Sequence, residues 1–460
     1  MNDETKTVTI NIVASIILQG IAFFSMPLFS RLLGSEQYGV FSIYYSWLMI
    51  ISCFMGGGVS SSIATARYHF SESYYEFRST LLLFSIGISM VLIAITFVFR
   101  NAISNMLGFS AGITMIMFIT SLGYSVITYY QKALVYEKKP MTNFIMSTTV
   151  SLLVVLISVA FILGMNDNKY LGKVYGTAIS YVFMCIFCIA SILGKSLGNI
   201  KNVKYYRYGI MMGMPIVIHQ LANNILTQSD RVMMDKMMIS PSEVGVYSLY
   251  YSLTSALKAV LTALNTSWCP FYYDDLKEKR KDAIEKKTKN YIELFSLITF
   301  IFLMLSREIG KLVGGDEFVY GLNLIPILAV SVYFIFMYQF PVNYEFFNKK
   351  SLIIAEGTIL ASVVNILLNA LTIVKYGMYG AAISTAISYC LLFFFHYCIS
   401  KIFVGGFELK AKLFLPGLLT IAVGCVTYYL FSDYVILRWI IAMLSGCYLL
   451  IRILKRKSIF

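Results

Sequence analysis

The chain has 460 residues, 58% of them hydrophobic and only 13% charged, with a mean hydropathy of +0.74. Charged residues at about half the usual quarter cannot cover the surfaces of the soluble domains this length would form, so the composition excludes a soluble globular protein. The net charge of +14 is accordingly a question of which side of a membrane the cations occupy, not an affinity for nucleic acid.

The N-terminal residues Asn2 to Lys6 lack a basic leader region, and the apolar stretch after them is too long for a signal peptide, so the first segment is expected to stay as a span. Stretches of roughly 20 mostly apolar residues, the length of a membrane-crossing helix, lie near 9–30, 39–63, 80–99, 111–135, 143–164 and 175–194. They continue near 209–234, 244–268, 290–312, 322–346, 352–374, 380–404, 412–431 and 435–453, fourteen in all. The longest polar stretch, residues 272–290, is expected to continue a helix along the membrane surface rather than form a domain. Eight cysteines, at 53, 185, 188, 269, 390, 398, 425 and 447, lack the spacing of a disulfide framework or a zinc site. Cys185 and Cys188 read as two small apolar residues on a helix.

Lys and Arg separate by side. With the N-terminus inside, 26 of the 37 fall on cytoplasmic segments and 10 on outer ones, with Lys258 inside a span. That bias places both termini in the cytoplasm and requires an even number of spans.

The two halves repeat. Gly39-Val-Phe-Ser-Ile-Tyr-Tyr-Ser46 recurs as Gly245-Val-Tyr-Ser-Leu-Tyr-Tyr-Ser252, and Tyr175-Gly-Thr-Ala-Ile-Ser180 recurs as Tyr379-Gly-Ala-Ala-Ile-Ser384, at offsets of 206 and 204. These matches open spans two and eight, and spans six and twelve. The unit is six helices, an even number, so both halves enter the membrane in the same sense, the plan of transporters that work by alternating access. The expected fold is an all-α polytopic membrane protein of about 14 transmembrane helices: two parallel six-helix repeats, 1–200 and 201–404, plus a C-terminal helix pair, 405–460.

Residues 30–41, Ser-Arg-Leu-Leu-Gly-Ser-Glu-Gln-Tyr-Gly-Val-Phe, close span one and open span two. Asp230-Arg231 and the segment Glu243 to Ser248 form a counterpart in the second half, and basic turns follow at 137–140 and 348–350. In these motifs the chain resembles the Wzx-type polysaccharide flippases, the O-antigen and capsule repeat-unit (lipopolysaccharide-pathway) transporters of the multidrug/oligosaccharidyl-lipid/polysaccharide (MOP) superfamily. The resemblance implies a MATE/MOP-like fold in a bacterial cytoplasmic (inner) membrane. It implies transfer of an undecaprenyl-diphosphate-linked oligosaccharide from the cytoplasmic to the outer leaflet through a central cationic cavity. No cofactor is expected; the drive would be a proton or sodium gradient or the membrane potential. Expected partners are the polyprenyl-diphosphate-linked oligosaccharide, membrane lipid, and a polysaccharide polymerase with its chain-length machinery, and no nucleic acid. Alternative readings are a MATE-like cation or drug antiporter and a membrane-embedded glycosyltransferase or polymerase. The first would need a carboxylate deep in a span, the second a large outer loop.

A charge at mid-membrane costs roughly 2.5–3.5 kcal/mol on insertion scales, so each one needs a reason. Lys258, near the middle of span eight, reads as a contact for the diphosphate or an acidic sugar, or else as a snorkelling or paired lysine. Arg31 and Arg231 could form an outer basic ring or anchor at the interface. Arg67 could meet substrate on entry or serve as an ordinary positive-inside residue. His219, Asn223, Thr227 and Asp230 line one face of span seven, suited to sugar hydroxyls or to a helix-helix seam. Asp230, Glu345 and Glu356 are the carboxylates available for ion coupling. Gly56, Gly57 and Gly58 permit close packing or flexing in span two.

Overall fold

A computed structural model describes residues 3–455. Its spans are helices, as lipid requires: with no water to bond to, each segment must satisfy its own backbone N–H and C=O groups. The first helix, Asp3–Phe54, carries span one and most of span two and breaks at Gly34, where φ is 69°. A 3-10 turn, Met55–Ser62, and a short helix, Ile63–His69, complete span two. Spans three to six are Tyr74–Val98, Ala111–Tyr136, Pro140–Leu163 and Tyr170–Leu193. Spans seven to ten are Val203–Lys236, Pro241–Lys277, Lys281–Gly314 and Leu324–Phe347. One run, Ser351–Ile399, holds spans eleven and twelve and breaks at Gly377, where φ is 54°. Spans thirteen and fourteen are Leu415–Leu430 and Val435–Lys455. All fourteen predicted segments are present as helices.

Among the described residues, nine helices are long and apolar enough to cross a membrane, two of them, Val13–His69 and Ser351–Val404, long enough to cross twice. Spans seven, eight and nine are more polar than these, and seven and eight carry most of the predicted site residues. The charged stretch at 272–290 continues helices and forms no domain, as expected: it is the extension of spans eight and nine, joined by a tight turn at Lys279, where φ is 57°. Chain ends, expected in the cytoplasm, and Arg456 and Lys457 of the charge count lie outside the described residues.

Helix starts follow local chemistry. Ser110 and Ser240 cap spans four and eight by accepting from the Ile113 and Glu243 amides, and Pro140 and Pro241 stand where a missing N–H costs nothing. Hydroxyls within the spans return their hydrogen to the preceding turn, as Ser42 does to Tyr38 O at 2.8 Å and Thr96 to Leu92 O at 2.8 Å. Large apolar side chains such as Leu156, Leu163, Phe183 and Ile186 are exposed, the surface expected against lipid.

The repeat has a packing cause. At Gly176 a Cβ would stand 2.4 Å from Ser158 Cα, and at its counterpart Gly380 it would stand 2.4 Å from Thr372 O. Spans five and six, and again eleven and twelve, therefore cross backbone to backbone, which only glycine allows. In the other match, Tyr44 and Tyr250 are both fully buried, each a few turns after a left-handed residue, Gly34 or Met238.

By their contacts the described residues form two compact units, one of the chain up to Ser25 with Leu32–Asp235, the other of Met26–Arg31 with the chain from Lys236 onward. This division differs from lobes of 1–200 and 201–404 in two places, both with a polar cause. Span seven joins the first unit, where Asn224 donates to Met49 O at 3.0 Å and Ser46 donates to Gln228 Oε1 at 3.1 Å. The C-terminal end of span one, Met26–Arg31, joins the second, where Ser30 donates to Val313 O at 2.5 Å and Arg31 to Leu312 O at 3.0 Å. Spans thirteen and fourteen pack on span nine within the second unit. Arg438 is fully buried there and binds Glu308, and Arg452 binds Glu293 at 2.7 Å.

Within the first unit, spans three, four and six meet in a core containing Phe77, Leu81, Tyr129, Ala133, Cys188 and Ile192. At one end of that core, fully buried Arg78 binds buried Glu137, which also takes Lys139 at 2.6 Å and Lys195 at 3.5 Å. All eight cysteines are free thiols, Cys188 resting 3.7 Å from Met146 Sδ.

Candidate functional site

The first unit holds a partly open cavity of about 200 Å³ beside the break in span two. Gly56, Gly57 and Gly58 all have positive φ, at 78°, 57° and 67°, a conformation that side chains resist and that ends the helix. Four hydrogen bonds hold the break. Gly56 N–H donates to Ser89 Oγ at 3.1 Å, Ser125 Oγ donates to Met55 O at 3.1 Å, and Asn224 Nδ2 donates to Met49 O and to Cys53 Sγ, each at 3.0 Å. Irregular backbone at membrane depth is tolerated where it is buried in protein or lines a wet cavity, and here it lines one.

The cavity wall mixes polar groups with Met49, Met55 and Val59 and carries no acid. Ser52, Ser60, Ser85, Ser125, Thr128, Gln220, Asn223 and Asn224 supply hydroxyls and amides, Tyr124 and Tyr129 supply rings, and Lys132 is its one charged side chain. Lys132 Nζ donates to Ser60 Oγ at 3.0 Å and has no carboxylate partner among the described residues.

The break makes a specific demand on residue 58. A Cβ there would stand 2.1 Å from Val217 Cγ2 and 3.0 Å from Gly213 O, at a φ of 67°. Gly58→Ala is expected to cost about 1–3 kcal/mol, lowering the unfolding temperature of the detergent-purified protein. Gly20→Ala, with nothing within 4 Å of the new Cβ, should leave it unchanged.

Of the predicted site residues, Asn223 reaches this cavity. His219, one turn earlier, is half-buried, and its Nδ1 has no hydrogen-bond partner among the described residues. Asp230 and Arg231 are buried in the same unit, Arg231 donating to Thr227 O at 2.9 Å. Arg67, on the short helix after the break, lies 5.7 Å from the Tyr74 ring centroid.

The others belong to the second unit. Lys258 donates to Tyr251 Oη at 3.0 Å, and its ammonium lies 4.7 Å from the Tyr251 ring centroid and 5.9 Å from that of Tyr389. Arg31 is exposed, with the carbonyl bond to Leu312 already described. Glu345 is fully buried, bonded to His396 Nδ1 at 2.8 Å and to Ser400 Oγ at 3.0 Å. Glu356 is exposed.

Sequence reasoning missed Lys132, Gln220, Asn224 and the serines facing them. Spacing carried a signal: Ser52, Gly56 and Ser60, Thr128 and Lys132, and Gln220 and Asn224 each stand four apart, on one helix face. Lys132 lies near the end of the helix Ala111–Tyr136 and points back to span two.

Fourteen helices with a duplicated six-helix plan, and a helix broken over a polar cavity, define a membrane transporter. A solved structure of "Lipid II flippase MurJ, inward closed conformation" superposes with a TM-score of 0.77 at 15% identity, covering 97% of this chain and 99% of that one. Among curated proteins, "Lsg locus putative protein 1" of Haemophilus influenzae is 22% identical over 411 residues, 86% of this chain and 98% of that protein. "Probable low-salt glycan biosynthesis flippase Agl15" of Haloferax volcanii is 22% identical over 395 residues, 82% of this chain and 79% of that protein. The family model described as "Polysaccharide biosynthesis protein" matches residues 5–273, more than half of the chain. The protein belongs to that family.

Proposed function

We propose that the protein is a flippase that carries a lipid-linked oligosaccharide across the membrane by alternating access, and is a transporter, not an enzyme. The observation that carries this reading is the family match over residues 5–273 on a fold shared with a lipid II flippase. A relative named as a glycan biosynthesis flippase, aligned over 82% of this chain, supports it.

The finer reading is that the lipid is undecaprenyl diphosphate, that transfer runs from the cytoplasmic to the outer leaflet of a bacterial cytoplasmic membrane, and that both termini are cytoplasmic. The bias of Lys and Arg supports this orientation. A polysaccharide polymerase and its chain-length machinery would take the product. Lys258 meets the diphosphate or an acidic sugar. Arg31, Arg231 and Arg67 attract the anionic headgroup, and His219, Asn223 and Asp230 receive sugar hydroxyls. The antiporter alternative needs a carboxylate at a binding cavity, and the wall beside the span-two break contains none.

For coupling to an ion gradient, Glu345 is the carboxylate of choice, because it is fully buried within span ten and bonded to His396. Asp230 and Glu356 remain as alternatives. If protons drive the cycle through Glu345, an imposed pH gradient accelerates transfer by the wild type and not by Glu345→Gln.

The test of the function is transfer itself. Proteoliposomes containing the purified protein and a polyprenyl-diphosphate oligosaccharide should move it between leaflets faster than empty liposomes, read by accessibility to an added glycosidase. Absence of transfer with several glycans, together with proton-linked efflux of a cationic dye, would replace the flippase reading with the antiporter one.

A further inference from the structure

The two motifs that open spans two and eight each contain one polar side chain that reaches to another helix. At the offset of 206 that relates the halves, Gln37 corresponds to Glu243. Gln37 Oε1 accepts the Tyr170 N–H at 3.4 Å, and Glu243 Oε2 accepts the Met378 N–H at 3.4 Å. Both amides open the sixth helix of their repeat, span six at Tyr170 and span twelve just past the break at Gly377. The first amides of a helix have no partner within it, and here a neighbouring helix supplies one. In the second copy the acceptor is a carboxylate, the charge that a helix N-terminus favours. Gly377 is fitted to the contact: its φ is 54°, and a Cβ there would stand 2.5 Å from Glu243 Oε2. The Glu243 amide donates to Ser240 Oγ at 3.3 Å, an arrangement in which the glutamate side chain ordinarily turns back to its own cap. This one reaches span twelve instead.

The contact stands at one end of a seam whose other end is Lys258. Glu243, Tyr247, Tyr251 and Lys258, at steps of four, four and seven, share one face of the continuous helix Pro241–Lys277. Met378, Ala382, Thr385 and Tyr389, at steps of four, three and four, share one face of span twelve, and all four are buried. The two faces meet at both ends, Glu243 on the Met378 amide and the Lys258 ammonium 5.9 Å from the Tyr389 ring centroid. Lys258 lies about 22 Å along span eight from Glu243, and unbroken helices carry a register set at one end to the other. The first copy has the same layout. Lys258 corresponds to Ser52, which stands fifteen residues after Gln37 and lines the cavity of the first unit.

We infer that Glu243 is a positioning residue for Lys258: by closing the start of span twelve it fixes that helix against span eight and so places the Tyr389 ring beside the ammonium. The inference rests on the reading of Lys258 as a substrate contact of a flippase, and adds a residue that touches no substrate. Gln37 makes the corresponding contact without a charge, so the role requires the acceptor and not the anion.

A double-mutant cycle separates positioning from a general structural role, because residues that act through one another are not additive. In the proteoliposome assay, Glu243→Ala is expected to slow transfer about fivefold, the scale of a lost helix cap, and Glu243→Gln less than about twofold. Added to Lys258→Ala, Glu243→Ala should bring almost no further loss. Equal slowing by Glu243→Ala in both backgrounds would overturn the inference, and so would no slowing by it in the wild type. Glu243→Gln as slow as Glu243→Ala would assign the effect to the charge and overturn it too. A second readout stands apart from transport: cross-linking of Lys258→Cys to Tyr389→Cys by a short bifunctional thiol reagent, in the full-length protein with its native cysteines replaced. The rate should fall with Glu243→Ala and hold with Glu243→Gln. That result supports the positioning role even if the protein moves no lipid-linked glycan, an outcome that would count against the flippase reading alone. A cross-linking rate unchanged by Glu243→Ala overturns the inference.

Discussion

Lys258→Ala is expected to slow transfer of the lipid-linked substrate roughly ten- to a hundredfold, the loss of one charge-assisted contact of roughly 1.5–3 kcal/mol, without lowering the unfolding temperature. The two halves of that expectation have one origin. An ammonium at mid-span costs roughly 2.5–3.5 kcal/mol, and the Tyr251 hydroxyl at 3.0 Å with the Tyr251 and Tyr389 rings at 4.7 and 5.9 Å returns only part of it, since a cation over an aromatic face contributes about 0.5–2 kcal/mol. No carboxylate among the described residues neutralises the lysine, so its charge remains available to an anion. Removing a residue held at net cost should leave the fold as stable or slightly more so. Lys258→Arg keeps the charge and should retain partial transfer. A fall in unfolding temperature that parallels the loss of transfer in Lys258→Ala would assign the residue to packing. The pair of measurements is the glycosidase-accessibility assay and thermal unfolding of the same preparation.

The second large effect belongs to stability. Glu137→Gln leaves Arg78 fully buried without its anion, and breaking a buried pair by removing one partner costs about 3–5 kcal/mol. A steep drop in the unfolding temperature, or failure to accumulate in the membrane, is the expected result. The double variant Arg78→Met/Glu137→Leu should recover much of the loss, because it removes both charges from the interior. Acid should act in the same direction. Burial works to raise the Glu137 carboxyl, but the Lys139 hydrogen bond and the charges of Arg78, Lys139 and Lys195 outweigh it and hold the group below its ordinary value of 4.5. A carboxylate depressed in the folded state contributes its full stability above the unfolded value and loses it as the pH falls through the folded one. Stability from this cluster should therefore be constant from neutral pH down to about 5 and decline below the usual carboxylate range, a decline that Glu137→Gln should lack. Thermal unfolding as a function of pH for the two proteins measures both effects.

The fourteen spans, the parallel repeat and the even count were legible because each depends on composition over about 20 residues or on motifs repeated at one offset. Lipid leaves the chain no alternative to helix, so apolarity alone specifies the secondary structure. The resemblance to the polysaccharide flippases rested on motifs near Arg31 and Asp230, and the family match confirmed it. Lys258 was conspicuous for an equally local reason, a charge in a span.

What the sequence did not show is which polar side chains share a wall. Lys132, Ser60 and Asn224 are 72 and 92 residues apart along the chain, and only the packing of spans two, four and seven brings them to one cavity. Gly56, Gly57 and Gly58 could equally have been a close-packing seam, as Gly176 and Gly380 are. Their left-handed conformation and the serines that bind the exposed backbone are properties of three helices together. The pairing of Glu345 with His396, 51 residues away, is of the same kind. Hydropathy is a sum over one segment and survives without its neighbours, whereas a binding wall is a set of directions that exists only once several helices have been fixed against each other.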